Sequence, residues 1–269
     1  MPLDIQAEIT KVRNYYESDK RQNTFNALVL GESGSGKTFL ARTCRKPIHI
    51  DSFDPGGTKC LQDLITKGDI VADTRWESED PLKPREFKNW KKEFEYRRSN
   101  GYFDHFGTYI LDSATTWSDA IMNYLLAKDG IAGEAPRFTK DYTPQKIMIR
   151  NFIFQMCALP CDFILTGHLK LVEDPDKGTI FRFMTTGQGM VTIPLLFDEI
   201  YVMTTKEKSS GVEYSLLTQS TRLYMARSRM SKNGLLDPVE KPDIKYILKK
   251  AGLPHEDKPS LMKGGETKN

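Results

Sequence analysis

Ile5, Ile9, Val12 and Tyr16 recur at helical spacing with charged residues between them, so residues 3–18 read as a short amphipathic helix. Phe25 to Leu30, apolar except for Asn26, reads as a buried strand, and a glycine-rich segment follows it. The next pattern predicts a helix over 36–46, stopped by Pro47, and a strand over 48–50 that ends at Asp51. Pro55-Gly56-Gly57 reads as a turn. Phe87, Trp90 and Phe94 share one face of a helix over 84–99, closed by Asn100-Gly101. A strand over 108–111 ends at Asp112, and Trp117, Ile121, Tyr124 and Leu125 form a helical stripe after it. Residues 129–142 read as a loop. Ile149, Phe152, Ile153 and Met156 mark another helix, and 163–165 another strand.

Strands and helices alternate through this stretch. That is the pattern of an α/β domain whose central sheet is mostly parallel and covered by helices on both faces. Beyond residue 168 the alternation stops. Asp174 to Gly178 reads as the turn of a hairpin, and strands are expected at 198–204 and 212–219, so the C-terminal part adds an antiparallel extension. A helix near 242–251 precedes a polar tail over 255–269, expected to be disordered. The expected organisation is an N-terminal helix (1–22), an α/β core (23–230) and a C-terminal helix with tail (231–269).

The 269 residues suffice for one large domain with a core of ordinary size. A net charge of +3 is too small to imply a nucleic-acid partner by itself. Four scattered cysteines (Cys44, Cys60, Cys157, Cys161) fit reduced thiols in the cytoplasm better than a disulfide framework. Cys157 and Cys161 lack the second ligand pair that a zinc site requires. The first residues contain acidic side chains and no apolar block, so no signal peptide is expected. No apolar run approaches the ~20 residues of a membrane helix.

Gly31-Glu32-Ser33-Gly34-Ser35-Gly36-Lys37-Thr38 matches the phosphate-binding pattern GxxxxGK[ST], with an apolar strand before it and a predicted helix after it. Glycines let backbone N–H groups turn toward phosphates without Cβ clashes. Lys37 places a positive charge on the β- and γ-phosphates, the Thr38 hydroxyl suits Mg²⁺, and Phe39 continues the nucleotide-binding segment. ATP and Mg²⁺ are therefore the expected ligands. Tyr109-Ile110-Leu111-Asp112 is an apolar strand ending in a carboxylate, which suits the Walker B position that holds Mg²⁺ through water. Ser113 follows instead of an acid, so a base that orients the attacking water must come from elsewhere; Asp51 and Asp54 are the candidates. His168 closes Phe163-Ile164-Leu165-Thr166-Gly167 and is a candidate sensor of the γ-phosphate.

Taken in order, GESGSGKT, HIDSFDPGG, TYILDSATTW and FILTGHLK resemble the RecA-like P-loop ATPases of bacteriophages, the AAA_24-type, Sak-like proteins linked to single-strand annealing and recombination. The resemblance spans roughly residues 25–230 and implies a RecA-like fold. It assigns Lys37 and Thr38 to nucleotide and Mg²⁺, Asp112 to Walker B, and His168 to the root of a DNA-facing loop. That loop corresponds to 170–190, where Lys170, Lys177 and Arg182 alternate with Phe181 and Phe183 as candidate contacts to single-stranded DNA. Arg227 and Arg229 resemble the element that reaches a neighbour's γ-phosphate, which implies a homo-oligomer with the nucleotide at the subunit interface. The chain would then act in the cytoplasm of an infected bacterial cell. One position departs from the pattern. Phe53 stands where such proteins carry a Glu, so either Asp54 takes its place or hydrolysis is slow. The expected function is DNA recombination or annealing. The rivals are a nucleotide switch with little turnover, a DNA-translocating motor, and a small-molecule kinase with 129–142 as its lid.

Overall fold

The computed structural model describes residues 3–174, 178–185, 189–209, 211–231 and 234–261. Lys177 and residues 262–269 of the tail lie outside the described residues. The parallel strands are β1 (Asn26–Gly31), β2 (Ile48–Ser52), β3 (Ile70–Asp73), β4 (Thr108–Asp112), β5 (Asp162–Asp174) and β7 (Glu199–Lys208). The hairpin strand β6 (Gly178–Phe183) pairs antiparallel with β5, and β8 (Gly211–Leu217) and β9 (Arg227–Ser228) with β7. β10 (Val239–Glu240) pairs with β8, giving the order β10-β8-β7-β1-β5-β4-β2-β3. This is the expected α/β architecture with an antiparallel C-terminal extension. β5 lies between the strand that feeds the glycine-rich loop and the strand that ends at Asp112.

Side chains alternate across β1 and fill two cores. Leu28 and Leu30 point into the larger one, Ala27 and Val29 into the smaller. The larger core is roofed by α3 (Glu86–Ser99), α4 (Ala114–Lys128) and α5 (Phe138–Cys157), which contribute Trp90, Trp117 and Phe152. Trp90 stacks on Phe94 at 5.3 Å and meets Trp117 and Phe152 edge-on at 5.5 and 5.1 Å. Each such pair adds about 0.5–1.5 kcal/mol beyond its buried area. The smaller core is covered by α2 (Gln62–Lys67) and α7 (Ile244–Lys250). The remaining α-helices are α1 (Ile5–Ser18) and the one-turn α6 (Gly189–Thr192).

Several elements differ from expectation. The helix expected over 36–46 is only a 3₁₀ turn, Phe39–Thr43, which ends where Cys44 returns to extended backbone. β3 follows α2 where no strand was expected; its burial alternates incompletely, with Val71 exposed, so its four residues give a weak signal. The loop expected over 129–142 ends at Arg137, because α5 starts at Phe138 and carries Pro144 within it. α1 has the expected apolar stripe, yet it buries no residue, and Ile5, Ile9, Val12 and Tyr16 are all exposed. No helix among the described residues is long and apolar enough to cross a membrane.

Candidate nucleotide-binding site

Parallel pairing brings the ends of β1, β2, β4 and the inner half of β5 to one edge of the sheet, where ligands of open α/β sheets bind. Gly31 pairs with His168 across β1 and β5, and Ser52 pairs with Asp112 across β2 and β4. The glycine-rich loop, Asp54, Asp112 and His168 are thereby gathered from four separate stretches of sequence.

In the loop, Gly34 and Gly36 take φ values of +77° and +89°, a region costly for residues with a Cβ. A Cβ on Gly36 would also press on the Tyr214 ring at 3.2 Å. Among the described residues, the N–H groups of Gly34, Gly36, Lys37 and Thr38 have no acceptor within the chain, and the buried Ser35 hydroxyl has no partner. Unpaired donors in a tight glycine turn suit a phosphate group, so the loop passes a first chemical test for a nucleotide. Glu32, Ser33 and Phe39 are exposed on the same segment. The Lys37 ammonium donates to the carbonyls of Gly31 (3.0 Å) and Glu32 (2.8 Å). Burial lowers its pKa, while Asp112, Asp54 and Glu32 oppose that shift.

Thr38 donates to Asp112 Oδ2 at 2.7 Å, and Thr166 donates to Oδ1 at 2.5 Å. Ser113, not Asp112, is the cap residue of α4, so the Asp112 carboxylate is not consumed by capping. The Asp112–Ser113 peptide is cis. Burial raises the Asp112 carboxyl above its ordinary value; the Thr166 and Thr38 hydroxyls lower it, and the negative charge of Asp54 raises it further. A hydroxyl and a carboxylate are hard oxygen donors, and Mg²⁺ takes one or two such protein ligands beside phosphate and water. Thr38 and Asp112 therefore fit Mg²⁺. Among the described residues, no cluster of three or more His, Cys, Asp or Glu side chains suits a metal, and Cys157 and Cys161 are free thiols.

The two candidate bases separate completely. Asp54 Oδ1 accepts from Ser113 (2.9 Å) and Thr116 (2.6 Å), and His168 Nε2 lies 3.6 Å from Oδ2. Burial pushes its pKa up, but His168, Thr116 and Ser113 outweigh this and leave it below the ordinary value. Asp54 thus stands at the ligand edge with a half-exposed partner, His168. Asp51 is 1% exposed and points into the larger core instead. Its carboxylate accepts from Trp76, Trp90, Tyr109 and Arg97 and contacts His49 Nε2. Alternation along β2 sends Asp51 to this face, where no water or phosphate reaches it, so the reading of Asp51 as a base is corrected. Phe53 is also in the larger core, 5.9 Å from Trp90 between ring centres.

The DNA-facing reading of the hairpin is corrected at Phe183, whereas Phe181 is only partly buried. Phe183 is 4% exposed and covers Gly167, where a Cβ would come within 2.6 Å of its ring. Phe181 stacks on Tyr224 at 5.0 Å. Arg182 pairs with Asp174, and Lys170 donates to the Thr185 carbonyl. Arg227 and Arg229 lie beside the start of β7, at the opposite edge from the chain's own glycine-rich loop. Arg227 donates to the Phe197 and Pro194 carbonyls, and Arg229 pairs with Asp198.

Sequence reasoning missed four hydroxyls (Ser52, Ser113, Thr116 and Thr166) and one carboxylate, Glu77. Glu77 accepts from Ser52 Oγ at 2.7 Å and from the Gly56 N–H at 2.8 Å. Reading β3 as a strand would have placed the turn after it, Arg75–Ser78, at the ligand edge.

Comparison with known families matches residues 24–230 to the model of AAA_24, described as an AAA domain. No curated protein matches the chain. Among solved structures, a KaiC-like protein from the hyperthermophilic archaeon Pyrococcus horikoshii OT3 is similar with a TM-score of 0.41 and 12% identity, covering 76% of this chain and 81% of that one.

Proposed function

Because the chain belongs to the AAA domain family AAA_24, we propose that it binds ATP with Mg²⁺ at Gly31–Thr38 and hydrolyses it, serving DNA recombination or single-strand annealing. The observation that carries the ATPase reading is the convergence of Lys37, Thr38, Asp112 and Thr166 at one sheet edge, with Asp54 and His168 beside them. Lys37 neutralises phosphate charge, and the unpaired loop N–H groups hold phosphate oxygens. Thr38 and Asp112 would hold Mg²⁺, which when bound would supply further charge stabilisation on the phosphates. Asp54 orients the attacking water, and His168 holds Asp54 and reports the state of the γ-phosphate. The recombination role, single-stranded DNA as partner, phage origin and head-to-tail assembly are supported by the ordered motifs alone. Among the described cations of the hairpin, Lys170 and Arg182 would contribute through phosphate rather than base contacts.

A second reading, a nucleotide switch with little turnover, is favoured by Phe53, which puts an aromatic ring in the core where the pattern calls for an acid. ATP hydrolysis with and without single-stranded DNA separates the two, with Lys37→Ala as control. Hydrolysis that rises with DNA and disappears in the variant supports the first reading. Tight ATP binding without turnover in either condition supports the switch. Salt-insensitive or absent oligonucleotide binding by the ATP-loaded protein would remove DNA from the proposal.

A further inference from the structure

Two residues on either side of Asp54 are held by one carboxylate that comes from outside their loop. Ser52 ends β2, and Gly56 follows Asp54 by two positions; Glu77 accepts from the first on one oxygen and from the second on the other. The loop passes directly beside the Asp112 carboxylate. A Cβ built on Gly57 would stand 3.6 Å from Asp112 Oδ2 and 3.9 Å from Ser52 Oγ. The N–H groups of Phe53 and Asp54 both point at the Asp112 carbonyl, at 2.6 and 3.3 Å. Glu77 is itself anchored. Its neighbour Trp76 is 2% exposed and donates its indole N–H to the buried Asp51 carboxylate at 3.1 Å. A continuous set of contacts therefore runs from the larger core through Trp76 and Glu77 to both flanks of Asp54.

We propose that Glu77 is a positioning residue for ATP hydrolysis: by clamping Ser52 and Gly56, it sets the Asp54 carboxylate against Ser113, Thr116 and His168, beside the Thr38–Asp112 pair. The inference rests on the hydrolysis reading above. Both Glu77 oxygens are used by the clamp, so the residue acts through Asp54 rather than on the reacting atoms. Small displacements at such a site are costly, since a shift of about 1 Å in a reacting group can lower the rate by about 10²-fold.

The test uses the full chain and three readouts: ATP affinity, kcat, and amide hydrogen exchange over residues 52–57. Glu77→Ala is expected to lower kcat by about 10- to 100-fold, the usual range for supporting-shell losses, with ATP affinity unchanged and Gly56 exchange faster. Glu77→Gln is expected to restore most of the rate. Its amide oxygen can accept from Gly56 while its NH₂ donates to the Ser52 hydroxyl, which can act as an acceptor. The Asp54→Asn and Glu77→Ala changes should be strongly non-additive, because one acts through the other. Wild-type kcat in Glu77→Ala would overturn the proposal. So would a Gln variant as slow as the Ala variant, or fully additive losses. If the wild type shows no Lys37-dependent turnover, the hydrolysis reading fails separately, and exchange then decides the clamp. Faster exchange over 52–57 in Glu77→Ala upholds it, and unchanged exchange overturns it.

Discussion

Five groups converge on the Asp51 carboxylate, and their effect can be read from acid stability. Burial pushes its carboxyl up, but His49, Arg97 and the Tyr109 hydroxyl outweigh it and hold it at about 2, against an ordinary 3.8. A carboxyl depressed in the folded state stabilises above its unfolded pKa and loses that contribution as pH falls through the folded one. Asp51 should therefore contribute about 2 kcal/mol at neutral pH, lost between about pH 4 and pH 2. Asp51→Ala leaves Arg97 and two indole N–H groups without this partner and is expected to cost about 3–5 kcal/mol. Urea unfolding at pH 7 and at pH 2.5 checks both statements, since the gap between variant and wild type should narrow in acid. Phe53 makes the complementary case. Phe53→Glu restores the acid that the motif lacks, but puts it among Trp90 and its neighbours. The expected result is a loss of several kcal/mol and no gain in turnover. Faster hydrolysis with an unchanged melting temperature would contradict the buried placement.

At the scale of elements, the β5–β6 hairpin separates packing from recognition. Phe183 fills the core over Gly167, whereas Phe181 lies in a half-buried stack with Tyr224. Phe183→Ala should cost about 3–5 kcal/mol, as for other buried aromatics. Phe181→Ala should cost about 1 kcal/mol beyond the lost area, the worth of an aromatic pair. Thermal and denaturant unfolding of the two variants measures the difference; equal small losses would mean that Phe183 is not a core residue. The hairpin's alternation of cations and aromatics was legible in the sequence, but the direction of each ring was not. Period-two alternation places Phe181 and Phe183 on one face without saying whether that face meets the core or solvent. The same ambiguity affected Asp51 and Asp54. Asp51 lies near the end of β2 and Asp54 just past it, and only their burial and hydrogen-bond partners show one turning inward and the other staying at the edge.

At the scale of the whole molecule, the glycine-rich loop and the pair Arg227 and Arg229 occupy opposite edges of the sheet. One subunit therefore does not complete its own site with these arginines. If head-to-tail assembly supplies them, ATP turnover per subunit should rise with protein concentration, and Arg229→Ala should abolish the rise while leaving ATP affinity intact. Turnover independent of concentration in both proteins would remove the arginines from the site. Arg229 is the better probe because Arg227 also holds the Pro194 and Phe197 carbonyls, so its loss would disturb packing.

The sequence by itself determined the α/β alternation, the GxxxxGK[ST] loop with Lys37 and Thr38, and the apolar strand ending at Asp112. Each is a local signal, because periodicity, glycine spacing and strand termini are written in consecutive residues. Only the tertiary structure decided which carboxylate faces the site, that Phe53 and Phe183 belong to the core, and that Glu77 reaches across 25 positions to Ser52. Those outcomes depend on strand order and register, which bring distant residues together, and neither is encoded in the spacing of any one segment.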